Sequence, residues 1–189
     1  MRRTLILLAA VLALQATIVQ AQVTPEVRPF AGAYIPTGDQ ADVLKSSFLV
    51  GIQAAVEVNE ALHLLGTFGY ATPRPDRPTI GNDVHIYQYD VGAELFRIIP
   101  FSDDRWSFRP FAGAGLGART HDFKDRSDTD AQTYFAGYGA LGAEIQHRRV
   151  ALRIEARDYV TRFKGLLGNE AAVARNDVML GAGVAFHVW

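Results

Sequence analysis

From Val150 to Val160 the chain alternates with a period of two. Val150, Leu152, Ile154 and Ala156 fall on one face, and Arg153, Glu155 and Arg157 on the other. Successive side chains of a strand point to opposite faces, so this is the signature of a strand with one greasy and one charged side. The same period runs through Phe48, Val50, Ile52, Ala54, Val56 and Val58, opposed by Gly51, Gln53, Ala55 and Glu57. It recurs through Tyr87, Tyr89, Val91, Ala93 and Leu95, opposed by Gln88, Asp90, Gly92 and Glu94, and again through Val178, Leu180, Ala182, Val184, Phe186 and Val188. No stretch after residue 22 sustains a helical period. The alternation predicts eight strands, at about 26–36, 47–58, 61–72, 84–97, 106–119, 131–146, 150–161 and 177–189. Each is long enough to cross a hydrocarbon layer, which takes about 9–11 tilted residues.

The connections alternate too. Asn59-Glu60 and His147-Arg148-Arg149 read as tight polar turns, whereas 37–46, 73–83, 120–130 and 162–176 are longer and rich in Asp, Arg, Gly, Asn or Pro. The segment 98–105 falls on the short side but carries Pro100 and Asp103-Asp104. Short turns at one end and long loops at the other suit an outer-membrane barrel, with the short turns in the periplasm. An internal echo supports the count. Arg28-Pro29-Phe30-Ala31-Gly32-Ala33 returns as Arg109-Pro110-Phe111-Ala112-Gly113-Ala114, at the start of the first and fifth strands.

Alternation alone does not separate a barrel in lipid from a soluble sandwich or lipocalin-type barrel, since both alternate. Composition of the polar face decides between them. It carries Gly51, Gly92, Gly113, Gly115, Gly117 and Gly142 together with charges of both signs, which suits the crowded lumen of a small barrel better than a wet surface. Aromatic residues gather near strand ends, with Tyr34, Tyr70, Tyr87, Tyr134, Tyr138 and Tyr159 toward the loops and Phe96, Trp106, Phe186 and Trp189 toward the turns. Two such girdles are expected at membrane interfaces. In lipid no backbone group is left unpaired, so the last strand must close on the first. The predicted fold is all-β: an eight-stranded antiparallel up-and-down transmembrane β-barrel.

The N-terminus adds an address. Arg2 and Arg3 precede an apolar run from Thr4 to Gln20, and Val19 and Ala21 occupy the small-residue positions of a cleavage site. This predicts a signal peptide over 1–21, cut before Gln22, and a barrel over 22–189. Removing the two arginines takes the formal charge from −1 to −3, which gives no reason to expect nucleic acid as a partner. Cysteine is absent, so the fold must rest on its hydrogen-bonded sheet rather than on disulfides.

The charged interior is the main candidate for chemistry. By parity Glu57, Glu94 and Glu144 face Arg28, Arg109, Arg153 and Arg157 across the lumen, with Glu155 and Asp90 also inside. Such charges are tolerable only when paired and hydrogen-bonded. The expected role is a salt-bridge network that plugs and organises the lumen; the alternative is a narrow gate for water, ions or small solutes, opened when one Arg changes partner. Catalysis is not expected. His63, His85, His121, His147 and His187 are scattered, without a serine at same-face spacing, and are assigned to surface or rim positions. No zinc-binding spacing occurs, and Gly113 to Gly117 lies within a strand rather than before a helix, so no metal or cofactor is expected. The loop 120–130, THDFKDRSDTD, is mostly a solvated segment that has the charge to meet lipopolysaccharide, divalent ions or another cell.

Three stretches carry a family resemblance: RPFAGAYIPTG from Arg28 to Gly38, ALRIEARDYVTRF from Ala151 to Phe163, and GAGVAFHVW from Gly181. They resemble the outer-membrane β-barrel domain family related to the OmpA transmembrane domain, over essentially the whole chain after residue 21. The resemblance implies an outer-membrane location, partners in outer-membrane lipid and the barrel assembly machinery, and a monomer. It says little about activity, because members share a scaffold more than a function. The final aromatic of the family continues the outward row, which here would be residue 188; Trp189 is one place out of register. No peptidoglycan-binding domain is expected from this sequence.

Overall fold

The structure is a computed structural model that describes residues 24–38, 41, 44–74, 84–102, 105–123, 131–163 and 173–187. The expected leader, Trp189 and much of the four long loops lie outside the described residues. Nine strands form one sheet: β1 (Thr24–Pro36), β2 (Ser47–Asn59), β3 (Leu62–Ala71), β4 (Val84–Phe96), β5 (Ile99–Pro100), β6 (Trp106–Phe123), β7 (Gln132–His147), β8 (Val150–Phe163) and β9 (Val173–His187). Eight of these are long, and β5 is a two-residue accessory. The order β4-β3-β2-β1-β9-β8-β7-β6 closes through a β4–β6 pairing, with every neighbour antiparallel. First and last strands meet along β1–β9, so the barrel has no free edge.

The strands are staggered. Rungs followed from Tyr159 pass through Tyr138, Gly115, Gly92, Leu65, Ala55, Glu26 and His187, and arrive at Arg149, ten residues before the start, in the turn that leads into the same strand. A fixed stagger of this kind tilts the strands of a closed barrel. It also means that side chains at one height in the lumen come from different rungs, and so brings distant parts of the sequence together.

Parity decides which way each residue faces. Leu152 and Ile154 are each 64% exposed on the outer wall, while Ala151 beside them and Arg153 between them are sealed within. Val91, Leu95, Phe135 and Leu141 likewise face outward. An outer wall this apolar would be an aggregation surface in water and matches a hydrocarbon solvent. A carboxylate interrupts it: Asp158 is exposed in the outward row of β8, between Gly139 and Val178.

Two strands outrun their predicted limits by four residues. β6 continues through Thr120, His121 and Asp122 to Phe123, paired with Val84–Tyr87, and β9 begins at Val173 opposite Phe163. The ladder is made by backbone groups. Beyond the apolar layer an outward side chain is free to be polar, so the alternation that marks a strand fades while pairing goes on. At the other end the long turn is structured: Ile99 and Pro100 pair with Phe108 and Ser107, and Phe101 N donates to Trp106 O at 2.9 Å.

Candidate functional site: a charged and aromatic lumen

The inward row of each strand delivers charge to the barrel axis. Among the described residues five arginines (Arg28, Arg109, Arg119, Arg153, Arg157) and six acids (Glu26, Asp90, Glu94, Glu144, Glu155, Asp177) are buried. Near the short-turn end, Arg28 donates to Glu26 at 2.5 Å and to Glu94 at 2.8 Å, with Glu144 3.8 Å away. Arg153 donates to Glu94, to Glu144 at 2.5 Å and to Glu155 at 3.0 Å. Arg109 lies 3.4 Å from Glu144 and donates to Gln146. Farther along, Arg157 donates to Glu155 and to Asp90, the latter at 3.4 Å, while Gln53 donates to Glu155 at 3.0 Å. Tyr159 donates to Asp90 at 2.6 Å, and Gln88 links Asp90 to Arg119, which donates to Asp177 at 2.5 Å. The contacts thus run without a break from Arg28 and Arg109 near the short turns to Asp177 on β9. A guanidinium offers five donors and a carboxylate about four acceptor sites, so few charges can serve many partners.

Glu57 stands apart from the other sequence-predicted positions. Its side chain is 34% exposed at the rim, and His63 Nε2 lies 3.8 Å from its carboxylate. Glu57 is the last inward residue before the β2–β3 turn, where water competes with any partner.

Sequence reasoning missed several members. His63, expected at the surface or rim, is buried, with Nδ1 2.8 Å from Arg28 and Nε2 3.3 Å from Arg109. Guanidinium groups only donate, so a neutral imidazole accepts from one of them at a time. His121 is buried as well, and His187 Nε2 lies 3.1 Å from Glu26. Glu26, Arg119 and Asp177 were also overlooked, although their parity matches the charged rows.

The aromatic girdles need the same correction. Tyr34, Tyr138, Tyr159 and Phe96 face inward and are buried. Arginines lie over these rings and over Phe111: Arg119 4.0 Å from Tyr159, Arg157 4.6 Å from Tyr138, Arg109 4.5 Å from Phe96 and Arg153 3.6 Å from Phe111. Stacking suits a planar, weakly hydrated cation in a dry interior. The outward aromatics at the loop end are Phe48, Phe68, Tyr70, Tyr87, Tyr89 and Phe135, and Trp106 and Phe186 mark the other end.

Glycine makes room for the rings. A Cβ on Gly51 would sit 2.3 Å from the Phe30 ring, and one on Gly142 would sit 2.2 Å from the Phe111 ring. The two echoed segments therefore repeat a piece of packing, in which the Phe of an Arg-Pro-Phe triplet lies over a glycine of the next strand. Tyr138 covers Gly92 and Gly115 in the same way. The void lined by Arg28, Gln53, Arg153 and Glu155 measures about 10 Å³, which is room for roughly one water. Toward the loops the lumen turns apolar, with Leu44, Leu49, Val84, Ile86 and Met179 buried around Tyr34.

The fold has known counterparts. The chain superposes on the N-terminal β-barrel domain of OprF from Pseudomonas aeruginosa with a TM-score of 0.60 at 14% identity, covering 86% of this chain and 96% of that one. It superposes on Neisserial surface protein A with a TM-score of 0.54 at 16% identity, covering 88% and 99%. No curated protein sequence matches the chain significantly. The family model for the outer membrane protein beta-barrel domain matches residues 4–187. With the closed eight-strand barrel and its apolar outer wall, that match makes this chain a member of the outer-membrane β-barrel domain family, with its place in the outer membrane.

Proposed function

We propose that this protein is a structural or surface-interaction barrel whose lumen is plugged, and that it is not an enzyme. The observation that carries the reading is the unbroken run of guanidinium, carboxylate and tyrosine contacts along the lumen, packed closely enough to leave about 10 Å³ beside Arg153. Ions would have to displace several buried ion pairs to pass, each hard to break by halves. Most of the charged side chains that converge bond to one another rather than face an open cleft. The protein is exported with loss of residues 1–21, and its loops meet lipopolysaccharide or another surface at the cell exterior. Insertion proceeds through the barrel assembly machinery, and the product is a monomer.

Conductance across planar bilayers tests the plug: purified wild-type barrel gives no reproducible channels. A second reading, a narrow gated pore, draws on the surplus of partners around two arginines. Arg153 touches Glu94, Glu144 and Glu155, and Arg28 reaches Glu26, Glu94 and Glu144, so re-pairing needs no new charge. Wild-type channels that vanish in Arg153→Ala or Glu57→Ala would establish the pore and end the plug.

A further inference from the structure

Outside the lumen, the short-turn end of β6–β8 holds a recess of about 640 Å³ on the outer wall. Its floor is apolar, made by Ile145, Val150 and Leu152, all exposed. Its rim is Trp106, His147 and the two turn residues Arg148 and Arg149. Trp106 stacks on His147 with ring centroids 4.4 Å apart. The backbone of the turn is tied down. Gln146 Nε2 donates to Arg148 O and His187 N to Arg149 O, each at 3.0 Å. Both arginine side chains are exposed, and neither makes an ion pair with a described residue.

The turn itself supplies a second observation. Arg148 has φ +55°, the left-handed region that favours glycine or asparagine. A two-residue hairpin turn is where glycine is the usual solution. An arginine held there at a conformational disadvantage points to a use for its side chain.

We propose that this recess binds an anionic glycerophospholipid of the periplasmic leaflet, with the phosphate between Arg148 and Arg149 and the acyl chains along Ile145, Val150 and Leu152. Charge complementarity selects the headgroup, because two unpaired guanidiniums at a lipid boundary match a net negative phosphodiester better than a zwitterion. Trp106 belongs at that depth, its ring in the apolar layer and its N–H toward the headgroups. The inference rests on the membrane reading and adds a lipid class and a site to it.

Quenching of Trp106 by brominated lipids tests the site. The chain has two tryptophans, so Trp189→Phe leaves Trp106 as the reporter. In mixed vesicles, brominated phosphatidylglycerol quenches Trp106 several-fold more effectively than brominated phosphatidylcholine. The preference falls by up to about fivefold for each arginine removed in Arg148→Asn and Arg149→Gln, and it weakens with added salt. Asparagine tolerates positive φ, so Arg148→Asn keeps the turn, and the heat-dependent gel mobility of the folded barrel checks it. Equal quenching by the two lipids would overturn the site, as would a preference that survives the double variant. Arg97 is exposed just past β4, outside the recess lining, and a loss just as large in Arg97→Gln would assign the effect to diffuse rim charge and reject the recess. Absence of quenching by either lipid would sink the membrane reading along with it.

Discussion

A single hydrogen atom's worth of side chain decides much of the lumen. Gly51 and Gly142 each lie under a phenylalanine ring, at distances where a Cβ would overlap it. The nearest backbone oxygens, Phe68 O at 2.4 Å and Ile154 O at 2.3 Å, block any easy shift of the new atom. Gly142→Ala is therefore expected to destabilise the barrel by about 1–3 kcal/mol, the usual range for overpacking. Denaturant unfolding in detergent or vesicles measures it. Phe111→Leu, placed in the same chain, should recover part of the loss, and additivity of the two changes would show that the ring was not the obstacle.

The arginines set the opposite problem, since removing one leaves acids behind. Arg153 is 4% exposed and contacts three carboxylates. Arg153→Met fills much of the space yet strands Glu94, Glu144 and Glu155 with fewer donors. The expected loss is about 3–5 kcal/mol, the range for a broken buried pair, read from the same unfolding curves. Adding Glu144→Gln to Arg153→Met should return part of the stability. Its failure to do so would mean that the charge left behind is not what costs the barrel.

At the scale of the strand, alternation carries most of the fold. The period of two in Val150–Val160 is enough by itself to name the inward and outward rows, and the eight long strands follow it closely. What it lacks is a rule for the ends. Thr120, His121 and Asp122 sit in a paired strand, but they lie where outward polarity is tolerated, so no apolar rhythm announces them. The lumen membership of Tyr34, Tyr138 and Tyr159 is legible in the same parity that places Arg153 and Arg157 inside. A general expectation about aromatic belts outweighs it. His63 shares its row with Leu65 and Thr67 and escapes notice for want of a local motif. Partners such as Arg119 and Asp177 are out of reach for another reason: the two residues are brought together by the stagger of the whole barrel, and nothing in either strand specifies that offset.

Asp158 offers a test at this scale. It interrupts the outward apolar row of β8, flanked along the strand by Ala156 and Val160. Carboxylates on the lipid face of a barrel carry a modest penalty that shrinks toward the interface. Asp158→Val should stabilise the barrel by up to about 1 kcal/mol, seen as a higher urea midpoint for the protein folded in vesicles. A drop in the midpoint would mean that the carboxylate has a favourable partner at that wall.

For the molecule as a whole, closure is the step on which the rest depends. The seam between β1 and β9 pairs Glu26 with His187 at the short-turn end and Pro36 with Asp177 at the other. Between Val27–Phe186 and Phe30–Gly183 it passes Pro29, which has no N–H to give the ladder. The seam is tight on the loop side of that gap, where a Cβ on Gly32 would lie 2.0 Å from Leu180 O. The lumen network also crosses it: His187 on β9 lies 3.1 Å from Glu26 on β1, and Arg153 on β8 binds Glu94 on β4. Strands far apart in sequence are thus held across the interior as well as around the wall, so the barrel should unfold as one unit. Gly32→Val, which drives a branched side chain into β9, should abolish the compact, heat-modifiable species on a gel rather than loosen one strand. Hydrogen exchange on the wild type should show the amides of β1 and β9 protected as long as those of β6–β8. Earlier exchange along the seam alone would mean that closure is a separate, weaker step and that the network does not bind the two halves together.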